Sequence, residues 1–129
     1  MREIKFRGKV DDRRPSLEGQ WVYGDFITGD QYGPYIRTIT LEYIGVDEKT
    51  VDQFTGLKDS TGKEIYEGDI IASDYADYRA LVAFCAGMFV ATWGPNTAYQ
   101  ALYGVLRLKG LRVIGNIHDN SELLNEVRS

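Results

Sequence analysis

Gln53-Phe-Thr-Gly-Leu-Lys-Asp-Ser-Thr-Gly-Lys-Glu-Ile-Tyr-Glu-Gly-Asp-Ile-Ile71 decides how this chain is read. Gly56, Gly62 and Gly68 recur at six-residue intervals, with apolar Leu57, Ile65, Tyr66, Ile70 and Ile71 between them. Glycine reaches backbone conformations closed to other residues, so short extended segments joined by tight turns are the expected product. Asp59 can accept a backbone N–H two residues on, Gly62 closes that turn, and Lys63 is left to solvent. At Gly68-Asp69 the glycine permits a kink and the carboxylate can accept N–H groups across the turn. The stretch specifies architecture and carries no chemistry of its own.

The same grammar extends in both directions. With 14 glycines, nine tyrosines and only short apolar runs, the chain reads as mainly β. Strands are expected at Ile4 to Gly8, Trp21 to Ile27, Tyr35 to Thr40, Tyr43 to Val46, Glu67 to Ser73 and Leu111 to Ile114, each flanked by turn residues. Arg79 to Trp93 is the clearest hairpin, turning at Cys85-Ala86-Gly87, and its apolar character predicts a central place in a sheet. Ala98 to Leu108 fits a short helix or a strand. Asn120 or Ser121 is placed to cap a helix over Glu122 to Val127, docked by Leu123, Leu124 and Val127. No repeat or linker divides the 129 residues, so a single domain is expected.

Composition bounds the function. A chain with 43% hydrophobic and 26% charged residues is of the ordinary globular kind. Cys85 is the one cysteine, which excludes an intrachain disulfide, and Phe84, Ala86 and Met88 around it predict a packed thiol. No signal-like or membrane-spanning apolar run occurs, so a cytoplasmic protein without membrane contact is expected. The formal charge of −4 is unevenly spread: residues 1 to 14 carry +3 and residues 42 to 77 carry −7. Regions of opposite sign could stack copies head to tail, against the plainer reading of charges that only solvate loops.

Catalytic and metal constellations are weak. Gly56 to Glu64 resembles a phosphate-binding loop superficially, but the glycines are separated by five residues and Glu64 stands where Ser or Thr is required. The spaced acids of an EF-hand are missing after Asp59 and Thr61. His118 is the only histidine, so it cannot build a histidine-based metal cluster and reads as a helix-entry residue bonded to backbone or acid. Asp74 and Asp77, beside Tyr75 and Tyr78, read as an exposed loop rather than an acid–base pair. No enzyme activity, cofactor or metal is expected.

Three separated blocks resemble one family, the YopX-like proteins of bacteriophages and prophages. They are Arg2-Glu-Ile-Lys-Phe-Arg7, the block from Thr55 to Ile70, and Ile114-Gly-Asn-Ile-His-Asp-Asn-Ser-Glu-Leu-Leu124. Ser121 departs from that pattern, in which a proline is common. The resemblance implies an SH3-like, partly open β-barrel with a short C-terminal helix, encoded by a phage or prophage, with no catalytic residues to carry over. The shared residues, Gly56, Asp59, Gly62, Tyr66, Gly68, Asp69, Gly115 and Asn116, read as structural, Tyr66 filling the barrel wall.

Two binding readings remain. Small barrels hold single-stranded nucleic acid by stacking bases on aromatics in a basic groove. Lys5, Arg7, Arg13, Arg14, Arg107, Lys109 and Arg112 are the candidate phosphate contacts, with Trp21, Tyr23, Trp93 or Tyr99 to stack, although a pI near 5.0 gives no overall basic footprint. Protein contact is favoured: Tyr32, Tyr35, Tyr75, Tyr78, Tyr99 and Tyr103 fall in or near loops, where half-exposed rings suit interfaces. A host or phage protein, or a second copy of this chain in a homo-oligomer, is the expected partner.

Overall fold

The computed structural model describes residues 3–28, 31, 33–74, 78–93 and 98–126, with the side chains of Trp93, Ala98, Tyr99, Asn125 and Glu126 left aside. The chain divides into two compact units, Met1–Phe54 and Thr55–Ser129. The strands belong to two antiparallel sheets, neither of which is a closed barrel among the described residues.

In the first unit β1 (Phe6–Lys9), β2 (Trp21–Ile27), β3 (Tyr35–Arg37), β4 (Tyr43–Gly45) and the start of β5 (Asp52–Lys58) lie in the order β4-β3-β2-β1-β5. Alternation along these strands sorts the side chains. Val10, Ile36, Ile44 and Val46 are buried on one side, while Tyr23 and Tyr43 are exposed on the other. The sheet curls until Val10 bridges Val46, and the link is reinforced by Asp11 N–H to the Gly45 carbonyl at 3.0 Å and Asp47 N–H to the Lys9 carbonyl at 2.9 Å. Gly24 allows this curvature: its φ is +155°, and a Cβ there would collide with the Arg37 carbonyl of the neighbouring strand.

In the second unit the later part of β5 neighbours β6 (Glu64–Tyr66). A five-stranded sheet follows the order β10-β9-β8-β7-β11, from β7 (Asp69–Ser73), β8 (Tyr78–Cys85), β9 (Met88–Trp93), β10 (Ala98–Ala101) and β11 (Arg112–Asn116). Ile65, Ile71, Ala80, Val82, Ala91, Leu102, Val105 and Leu111 form one continuous core. The ambiguous segment after residue 98 is both things in turn, strand β10 and then the short helix α1 (Leu102–Val105), which sends Leu102 and Val105 into that core. The C-terminal helix α2 spans Glu122–Glu126; Val127 lies outside the described residues.

The β8–β9 hairpin is central, as expected, with β8 the middle strand of its sheet. Its two-residue turn puts both Ala86 (φ 52°) and Gly87 (φ 81°) in left-handed conformations, the signature of a type I′ turn. The packed thiol is corrected: Cys85 is exposed. Register explains it, because Cys85 pairs with Met88 as the last rung before the turn, beyond the core. Two further expectations change. The strand expected at Tyr35 to Thr40 ends at Arg37, and Tyr78 lies within β8, where burial pushes its hydroxyl up to about 12.

Candidate interaction surfaces

The glycine-punctuated motif and the C-terminal block meet inside the second unit. Asp59 Oδ1 accepts from Thr61 N–H at 2.8 Å, Thr61 Oγ1 at 2.7 Å and Lys63 N–H at 3.0 Å, while Oδ2 accepts Val113 N–H at 2.9 Å. Burial alone would raise this carboxyl; the donors from Val113, Thr61 and Lys63 outweigh burial and hold it below its ordinary value. Asp69 is almost fully buried, accepts Tyr66 N–H at 2.7 Å and pairs in register with Asn116. Gly68 accepts Ile117 N–H at 2.7 Å. Asn116 Oδ1 accepts from His118 and Asp119 N–H groups, and Asn120 Oδ1 accepts from Asn116 N–H. The Asn120 carboxamide therefore faces back into the turn. Gly115 gives it room, since a Cβ there would fall 2.7 Å from Asn120 Oδ1. Gly56 and Gly62 take positive φ at the ends of this arrangement, and Tyr66 is buried with its hydroxyl donating to Glu64 at 3.3 Å. These side chains hold backbone to backbone.

The basic candidates fall in two sets: Lys5, Arg7, Arg13 and Arg14 in the first unit, and Arg107, Lys109 and Arg112 in the second. Lys5, Arg7, Arg13, Arg14 and Arg112 each meet an acidic side chain. Arg7 is buried, donates from Nε to Asp52 Oδ2 at 3.0 Å, and lies 4.7 Å from the Trp21 ring centre. Lys9 covers the same ring at 5.5 Å, so Trp21 is already a cation-stacked side chain. Arg13 donates to Asp11 and to the Pro34 carbonyl, lies over Tyr35, and passes where a Cβ on Gly45 would have stood. Their hydrogen bond raises the Arg13 value and, against burial, lowers that of Asp11. Lys5 meets Glu3 at 3.5 Å, Arg14 meets Glu42 at 3.5 Å, and Arg112 meets Asp74 at 2.9 Å. The side chains of the stacking candidates Trp93 and Tyr99, and the residues Tyr32, Tyr75 and Asp77, fall outside what is described.

Large apolar side chains reach the surface in two places that sequence reasoning missed. The turn between β3 and β4 carries Ile39, 97% exposed, and Leu41, 70% exposed, beside exposed Ile4 and Tyr23. A groove of about 460 Å³ lies between them, with Gly24 in its lining. The β8–β9 tip presents Phe84, 54% exposed, and Met88, 42% exposed, with Phe84 set edge-on to Phe89 at 5.1 Å. No local signal announced the first: Thr38-Ile-Thr-Leu-Glu42 holds no glycine, proline or asparagine between two strand-like segments. Among the described residues no cluster of three or more metal-ligating side chains occurs, and no helix is long and apolar enough to cross a membrane.

None of the curated proteins compared matches the chain. Among solved structures, protein EF1440 from Enterococcus faecalis is similar over 96% of this chain and 99% of its own, with 25% identity and a TM-score of 0.59. The family model described as YopX protein matches residues 5–125 and so takes in the motif, the C-terminal block and both apolar turns. By that match the chain belongs to the YopX protein family.

Proposed function

We propose that this chain is a non-enzymatic accessory protein of a bacteriophage or prophage, acting in the bacterial cytoplasm through protein contacts and by associating with itself. The observation that carries the reading is the display of Ile39 and Leu41 on a hydrogen-bonded turn, because exposed clustered apolar side chains gain free energy only when something covers them. Membership of the YopX family supports the phage setting. The curl that brings Val10 to Val46 supports an SH3-like, partly open barrel for the first unit. Sedimentation velocity over a rising concentration series tests the self-association: a species heavier than 14.6 kDa should grow with concentration, and a monomer throughout would remove that part.

A second reading, single-stranded nucleic-acid binding, draws on the alternation of cations and aromatic rings around Trp21 and Tyr35. The acidic partners of those cations weigh against it, since a phosphate would have to displace Asp52 or Asp11. Oligonucleotide affinity that falls as salt rises, and is lost when Arg13→Ala and Arg14→Ala are combined, would move this reading ahead of the first.

A further inference from the structure

We draw no further inference here: the strongest candidate, the acidic groove of about 580 Å³ between the β1–β2 loop and the 3-10 turn Glu48–Thr50, lined by Asp11, Asp12, Glu18, Asp47 and Glu48, carries nothing because Arg13 already holds Asp11, Asp47 caps the turn by accepting Lys49 N–H, and nothing in the structure shows what would occupy the acids around them.

Discussion

Residues 1–54 and 55–129 use their polar side chains in opposite ways. In the second unit Asp59, Asp69, Asn116 and Asn120 turn inward and accept backbone N–H groups from their own unit. In the first, Arg7, Lys9 and Arg13 lie over the Trp21 and Tyr35 rings while Ile39 and Leu41 stand in solvent. The part of the chain with the most distinctive sequence is therefore the part most occupied with holding itself together. The most exposed apolar side chains come from a stretch with no distinctive motif. Sequence signatures can mark what a fold cannot do without, while its most exposed apolar side chains come from elsewhere.

The largest effect that sharpens this contrast is expected from Ile71→Ala, which empties a fully buried site in the second unit and should cost about 4 kcal/mol in urea unfolding, whereas Ile39→Ala should stay within about 0.5 kcal/mol. Equal losses would break the comparison. Next comes Asp52→Ala, which strands the buried Arg7 guanidinium and should cost about 3 kcal/mol. Most of that loss should return in the double variant Arg7→Met with Asp52→Leu, since no charge is then left buried. Failure to recover would show that the first unit depends on its ion pair as the second depends on Asp59.

Asp59→Asn ranks third, at about 2 kcal/mol near neutral pH, because an amide nitrogen cannot accept the N–H that Asp59 Oδ2 takes from Val113. Asp59 is held below its ordinary value in the folded chain, so its contribution is complete above the unfolded carboxylate pKa and is lost as pH falls through the folded one. Urea titrations at a series of pH values should show the gap between wild type and Asp59→Asn closing below about pH 4. A gap constant down to pH 2 would remove the carboxylate from the account. The smallest effect is expected from Arg14→Ala, whose exposed pair with Glu42 should leave the unfolding midpoint unchanged.

Trp21–Ile27 was readable to the residue because a run rich in aromatic and branched residues is flanked by the turn residues Gly19 and Gly29. The hairpin at Ala86-Gly87 was readable because glycine marked its turn. The turn at residues 38–42 was not, since threonine hydroxyls and a left-handed leucine perform there what glycine or asparagine would have announced. Cys85 misled because apolar neighbours predict burial only inside the sheet, and the register that places it on the last rung is a long-range fact. The partners of the basic candidates were out of local reach for a related reason: sequence displays charge, while the Arg7–Asp52 pair joins residues 45 apart. The mutual approach of Asp59 and Val113, 54 positions apart, was likewise beyond local reading.

Strand β11 ends its sheet, and a bare terminal strand is where foreign chains add themselves rung by rung. Here Leu111 receives the Ser60 amide, Val113 gives its own to Asp59, and Asn116 gives its own to Asn120. With those docking points occupied, β11 is a poor template for a foreign strand and for growth into fibrils.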